Sequence, residues 1–277
     1  GGPLSQQAAA AGWDVYAGYL NNPLGVWAGM PVQLDLRYPD RVRATLVPLL
    51  PDVIIHAAVT ERSGPGYDEA IRLAARSVAE TAREVGARLI ALSTDLVFDG
   101  MLPLYDERTP PRPSAGNLYG QAKRDAEQAI AALYPAALIV RTSLIYDFDP
   151  SNAQVAWMLR AIERGEQISL YTDQIRCPVW VWNLARILLE LAEDDLSGIL
   201  HAVGPRPVSR YDLGCALLEA LGYHPAAHVI PARAPDHLPK RLVLSTQRLE
   251  SALRYNKLRT LEEARSLWWA RDKLAGF

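Results

Sequence analysis

The chain has 277 residues, of which 49% are hydrophobic and 22% charged, with a formal net charge of −2. That length can bury a sizeable core, as one large domain or two unequal ones. No basic excess argues for nucleic acid, no apolar run approaches a membrane span, and no signal-peptide pattern is visible.

The chain opens Gly1-Gly2-Pro3-Leu4-Ser5, is helical in character over 6–11, and reads as a strand over 13–20. A doubly wound sheet starts with a strand, then a glycine turn, then that helix. Gly1-Gly2 are therefore expected to be the end of a phosphate-binding turn. About 8–12 residues carrying the first strand are expected ahead of them. Residues 32–36 read as a short strand, and 40–50 as a helix stopped by Pro51. Residues 53–58 form a β-rich run ending in small residues, which would let a flat cofactor reach the backbone. Ile71, Ala74, Ala75 and Val78 give 67–85 a helical period.

Residues 88–92 are a strongly apolar run, the pattern of a buried strand in a parallel sheet. Thr94 then stands at the strand's carboxyl end, where open α/β sheets bind ligands. Residues 99–118, with Pro103, Pro110, Pro111, Pro113 and the acidic Asp106-Glu107, read as a loop and a candidate substrate lid. A helix over 119–133 and a strand over 137–142 follow. The β-α alternation predicts an α/β fold, a Rossmann-type doubly wound parallel sheet with a smaller C-terminal α/β substrate lobe. The boundary is expected near 145: residues 1–145 as the dinucleotide domain, and 146–277 as a lobe partly interleaved with it. In that second part helices are expected at 152–164, 182–193, 212–221 and 262–273, with strands at 167–171, 199–203 and 228–231. Cys177 and Cys215 are isolated, and five histidines form no ligand spacing. No metal is expected, both thiols read as core residues, and a reducing, cytoplasmic setting is expected.

The chemistry lies in three residues. Tyr119 and Lys123 are four apart, so a helix puts both on one face. A ketone that accepts hydride becomes an alkoxide and must take a proton. A phenol is a good donor but its free pKa is about 10, too high for efficient transfer near neutrality. A neighbouring ammonium favours the phenolate. A Thr94 hydroxyl could hold the carbonyl oxygen by hydrogen bonding. Y-x-x-x-K occurs by chance in many helices. Its position after a strand-ending Ser-Thr in a βαβ pattern is what makes it a candidate.

Several stretches carry a resemblance: Gly2-Pro3-Leu4-Ser5, Leu34-Asp35-Leu36, Pro51 to Ala58, Ser93-Thr94-Asp95-Leu96-Val97-Phe98-Asp99-Gly100, Asn117-Leu118-Tyr119-Gly120 with Lys123, and Arg141-Thr142-Ser143. Asp173-Gln174 followed by Pro178 fits too. The chain resembles the extended short-chain dehydrogenases/reductases, and within them the dTDP-4-dehydrorhamnose reductases and related sugar-nucleotide 4-ketoreductases. The resemblance implies NAD(P)H-dependent reduction of a 4-keto sugar nucleotide, with Thr94, Tyr119 and Lys123 as the catalytic set and Tyr119 the proton donor. It places Gly2, Leu4, Asp35, Leu36, Ala57, Ala58, Tyr119 and Lys123 against the cofactor. It places Thr94, Ser143, Leu144 and Arg241 against the substrate, with Arg241 facing its diphosphate. It leaves oligomeric state open, with room for a homodimer.

Departures from the family pattern qualify this. Ser5 replaces a usual Gly. Leu144 stands where Trp is frequent and Trp180 where Thr is common, both in the expected sugar pocket. No acid ends the second strand at Tyr19-Leu20-Asn21-Asn22, which tilts the cofactor toward NADP, with NAD still open. Among rivals, a dehydratase would need Asp-Glu where Asp95-Leu96 stands. A 4-epimerase shares the triad but not the full Ser93–Gly100 run. A non-catalytic subunit resembling the regulatory subunit of methionine adenosyltransferase would bind the dinucleotide without turnover.

Overall fold

A computed structural model describes residues 1–58 and 64–275. The first helix, α1 (Gly2–Ala10), leads to β1 (Tyr16–Tyr19), β2 (Met30–Gln33), α2 (Pro39–Leu46) and β3 (Val53–His56). Then come α3 (Tyr67–Val85), β4 (Arg88–Thr94), α4 (Leu118–Leu133) and β5 (Leu138–Thr142). The remainder holds β6 (Ile145–Tyr146), α5 (Ala153–Glu163), β7 (Ile168–Tyr171), β8 (Ile175–Arg176), β9 (Val179–Trp180) and α6 (Val181–Ala192). It ends with β10 (Gly198–His201), β11 (Val208–Ser209), α7 (Arg210–Ala220), α8 (Pro225–His228), β12 (Val229–Ala232), α9 (Gln247–Ala252) and α10 (Leu261–Ala275).

The central sheet is parallel, in the order β10-β5-β4-β3. Its side chains alternate between two cores, as the two-residue period of a strand requires. Leu89, Ala91 and Ile139 pack against α3 and α4, while Ile90, Leu138 and Val140 pack against α6. Helices on both faces explain why β4 and β5 read as nearly unbroken apolar runs. A third core, with Phe148, Met158, Trp182 and Leu217, lies in the C-terminal part.

Helix α3 runs over the expected residues. Asp68 and Glu69 in its first turn and Arg83 in its last suit the helix dipole. It ends at Gly86, where φ is 71°, a conformation glycine adopts without steric cost. Arg72 reaches Asp68 on its own helix and Asp125 on α4, at 2.8 and 3.0 Å, holding the two helices together.

The early part differs from expectation. β1 and β2 form a separate two-stranded parallel sheet, paired from Tyr16↔Met30 to Tyr19↔Gln33. The strand expected at 13–20 is cut to the length of its partner. The one expected at 32–36 falls earlier and takes in Pro31, which an edge strand tolerates because its missing N–H is not needed by a second neighbour. The helix expected at 40–50 ends at Leu46 and tightens into a 3-10 turn over Val47–Leu49, where Pro48 interrupts the hydrogen-bond ladder.

Candidate active site

Thr94 is the last residue of β4 and caps the 3-10 turn Asp95–Val97, its hydroxyl accepting from the Leu96 amide at 3.2 Å. The start of α4 is fastened to this same turn. Asn117 caps α4 by accepting from the Gly120 amide at 3.0 Å, and its side-chain nitrogen donates to the Leu96 carbonyl at 3.1 Å. Gly120 lies so close to the Leu96 carbonyl that a Cβ would collide with it. One turn further along, Lys123 Nζ donates to the Leu92 carbonyl of β4 at 3.0 Å. Thr94, Tyr119 and Lys123 are all buried. The strand end that carries Thr94 and the helix that carries Tyr119 and Lys123 are thus joined on both sides of the candidate reacting position.

Two buried charge clusters support this arrangement. Asp95, fully buried, is gripped by the Arg176 guanidinium from β8 and accepts from Ser143 Oγ at 2.5 Å. Ser143 is thereby held against the carboxylate beside Thr94, linking the ends of β4 and β5 to the C-terminal part. The second cluster lies below. Glu127 takes a two-point bond from Arg141, at 2.9 and 2.7 Å, and a third from Ser93 Oγ at 2.5 Å. Burying two charges is repaid only when geometry is good and the remaining polar atoms are satisfied, as they are here. Arg141 also stacks over Phe98, 5.0 Å from the ring centroid.

His56 ends β3 and lines, with Lys123 and Glu127, a small crevice between the sheet and α3–α4. Burial first, and the Lys123 charge second, push its pKa down to about 3, so it is neutral at ordinary pH. Glu127, His56 and Arg176 were missed by sequence reasoning. For Glu127 a signal existed: Tyr119, Lys123 and Glu127 repeat every four residues and share one face of α4. For Arg176, 81 residues from Asp95, no local signal exists.

The other expected residues are placed as follows. Gly2 is buried beneath the Trp27 indole, against which a Cβ would collide. Leu4 packs in the core on the α6 face of the sheet, and Leu36 against the α3–α4 core. Asp35 accepts from Arg37, from its amide at 3.0 Å and its guanidinium, which holds the carboxyl below its usual pKa. Ala57 is half-buried and Ala58 exposed, just past β3. Leu144 lies against the C-terminal core. Arg241 is exposed and donates to the Pro103 carbonyl at 3.2 Å.

Trp180 is buried, and its indole donates to Asp147 at 3.0 Å, as that of Trp182 does at 2.9 Å. The loop over 99–118 is fastened in its first half, where Tyr105 is buried, stacks on Phe98 and exchanges backbone hydrogen bonds with Val243 and Ser245. Among the described residues no group of acids, histidines and cysteines could hold a metal, and no helix is long and apolar enough to cross a membrane.

The model of the RmlD substrate binding domain matches residues 1–270. The chain belongs to this family. It is therefore among the extended short-chain dehydrogenases/reductases that resemble dTDP-4-dehydrorhamnose reductase, a class of NAD(P)-dependent oxidoreductases. A dTDP-4-dehydrorhamnose reductase of Mycolicibacterium smegmatis is 32% identical over 265 residues, 90% of this chain and 76% of that protein. Methionine adenosyltransferase 2 subunit beta of Danio rerio is 30% identical over 236 residues, 79% of this chain and 72% of that one. Other curated reductases match over a smaller share, such as 60% of the length of one from Mycobacterium tuberculosis. A solved dTDP-4-dehydrorhamnose reductase of Bacillus anthracis, in complex with NADP, superimposes with a TM-score of 0.77 at 26% identity, covering 92% of this chain and 97% of that one.

Proposed function

We propose that this protein reduces the 4-keto group of a sugar nucleotide, with Thr94, Tyr119 and Lys123 as its catalytic residues. The observation that carries the reading is the clasp between the 94–97 turn and the start of α4, together with the Lys123 bond to Leu92. Thr94 ends β4, and Tyr119 and Lys123 lie in the first turns of the helix fastened to it, at the carboxyl end of a parallel sheet, where such folds bind ligands. The division into a dinucleotide domain over 1–145 and a substrate lobe over 146–277 is part of the same reading. Asp95 and Arg176 then join the lobes behind the reacting carbonyl.

The residues present fit a nicotinamide dinucleotide. Past β3 the chain offers the small Ala57 and Ala58, and Lys123 stands one turn below the phenol. Gly2, Leu4, Asp35 and Leu36 would border the rest of the cofactor through their backbone, since the side chains of Leu4 and Leu36 pack against the core and that of Asp35 is bound to Arg37. The absence of an acid after β1 favours NADP, and the relative solved with NADP agrees. When bound, the cofactor supplies the hydride. Tyr119 donates a proton to the developing alkoxide from a fixed position, which contributes typically 10²–10⁴-fold. Thr94 holds the carbonyl oxygen by hydrogen bonding. Lys123 places positive charge beside the phenol, favouring its ionised form after proton transfer. Ser143 and Leu144 border the sugar.

The similarity to methionine adenosyltransferase 2 subunit beta supports a second reading, a dinucleotide-binding partner without turnover. Turnover of dTDP-4-dehydrorhamnose with NADPH, followed at 340 nm, separates them. Wild type should oxidise NADPH, and Tyr119→Phe should lower kcat on the order of 10²–10⁴-fold with little change in NADP affinity. No turnover by wild type, or a wild-type rate for Tyr119→Phe, would reject the reductase reading.

A further inference from the structure

Thr94 has one hydroxyl proton to give. It is directed at the next residue of the chain, Asp95, with Oγ1 to Oδ1 at 3.3 Å. A hydroxyl that donates to a carboxylate normally comes to about 2.5–2.7 Å. Thr94 is therefore held loosely. The oxygen of the same hydroxyl accepts from the Leu96 amide at 3.2 Å. Ser143 presents the contrast. Its hydroxyl meets the other oxygen of Asp95 at 2.5 Å, inside the charge-assisted range. Two hydroxyls thus flank one buried carboxylate, and only one of them is taken firmly.

The residue that limits the pull of Asp95 on Thr94 is Arg176. Its Nε donates to Oδ2 at 2.7 Å, and its Nη2 donates to Oδ1, the oxygen that Thr94 also faces. The planar fork engages both carboxylate oxygens at once. The side chains of Arg176 and Asp95 are 7% and 0% exposed, so water cannot replace the guanidinium. Arg176 is set in place by its strand, since β8 pairs antiparallel with β11 through Val208↔Arg176. A buried carboxylate without its cation draws on whatever donors remain. Ser143 is already bound to it, so the donor that remains is Thr94.

We propose that Arg176 is a positioning residue for the reduction: by saturating Asp95, it leaves the Thr94 proton for the carbonyl oxygen of the substrate. This rests on the reading of the site as a reductase in which Thr94 holds that oxygen. A hydroxyl has a single proton, so it cannot donate to Asp95 and to the carbonyl together. Turning the Thr94 hydroxyl toward the substrate costs little while Asp95 keeps its stronger partners. It costs much more once Asp95 depends on Thr94. The choice of donor at the carbonyl is in this way made by a side chain of the C-terminal part.

Steady-state turnover of dTDP-4-dehydrorhamnose with NADPH tests the proposal. Arg176→Met keeps the aliphatic stem and removes the fork. Its kcat should fall on the order of 10–10²-fold, with NADP affinity at the wild-type value. Adding Asp95→Asn removes the competing charge and should restore most of the rate. Arg176→Lys, which meets the carboxylate as a point charge, should fall between wild type and Arg176→Met. In a Thr94→Val background Arg176→Met should cost little more, because the proton it protects is gone. A clasp that only joins the two parts of the chain predicts otherwise: Asp95→Asn with Arg176→Met as slow as Arg176→Met alone, and full additivity with Thr94→Val. Either result would overturn the proposal. If Arg176→Met does not fold, the pair with Asp95→Asn leaves no unmatched buried charge and decides alone. A rate near wild type supports the proposal, and a rate as low as that of Thr94→Val ends it. A crystal structure of Arg176→Met gives a reading free of turnover. The Thr94–Asp95 distance should contract from 3.3 Å to about 2.7 Å, and an unchanged distance would also overturn the proposal. A wild type without turnover, in which that contraction is still seen on removing Arg176, would reject the reductase and leave the competition for the Thr94 proton standing.

Discussion

The small, separate β1–β2 sheet and the carboxyl ends of β4 and β5 are held in different ways. No side chain of β1 or β2 is fully buried. Ion pairs in that region, such as Arg43–Glu84 and Arg37–Asp35, have their arginines half or more exposed. All five residues of β5 are buried, and the carboxylates around it are matched to guanidiniums out of water. The chemistry side is thus organised in advance, by packing and by charge pairs that tolerate little displacement. The β1–β2 side relies on a short ladder and solvated contacts, which belong to the low end of local stability. The proposed reductase would have use for that contrast: its proton donor and carbonyl must meet within a fraction of an ångström, while an edge that only borders the cofactor can adjust.

Hydrogen exchange should show the contrast most strongly. Amides of β1 and β2 should exchange faster than those of β4 and β5 by on the order of a thousandfold, and equal protection would remove the comparison. Next in size is the buried pair itself. Glu127→Ala leaves Arg141 charged, buried and unmatched, so chemical denaturation should show a loss of about 3–5 kcal/mol. Replacing both, as Glu127→Leu with Arg141→Met, should recover most of it. If the single change costs nothing, the cluster does not anchor α4.

Acid should act on the same half. Burial, with the charge of Lys123 or Arg141 second, pushes both His56 and His201 down to about 3. Unfolded histidine titrates near 6.5, so the unfolded chain takes up these protons first as pH falls. Stability from this source is therefore complete above about pH 6.5 and is lost progressively toward pH 3, at roughly 1.4 kcal/mol per pH unit for each histidine. Urea melts at pH 7 and pH 5 measure it, and His56→Asn should flatten the slope by the share of one residue. The smallest effect belongs to the solvated side. Arg43→Ala should leave the thermal midpoint unchanged within error, because an exposed ion pair is screened by water and salt.

What could be read from the sequence follows the same division. The buried strands β4 and β5 were legible as nearly unbroken apolar runs and the amphipathic α3 and α4 by their helical period, each ended by a glycine, a proline or a polar residue. Tyr119 and Lys123 were legible because four residues on a helix are one turn. The two-residue strands β6, β8, β9 and β11 have no period to detect, and their pairing depends on tertiary contact. Trp180 shows the limit of position-based reasoning. The partner that holds its indole, Asp147, lies 33 residues away. Arg176 belongs with it: its meaning depends on which carboxylate reaches it, and only the fold specifies that.

The tight approach of Gly120 to the Leu96 carbonyl has a consequence for how this site can vary. Residue 120 follows Tyr119, the proposed proton donor, and faces the turn that follows Thr94, so an absent side chain sets the spacing between the two. Adding one methyl there would wedge α4 away from the turn and carry Tyr119 with it, while Lys123, tied to Leu92 a turn below, would act as the pivot. Mutational tolerance at position 120 is therefore a gauge of alignment rather than of folding. Variants that keep the fold should still lose rate in proportion to the volume added.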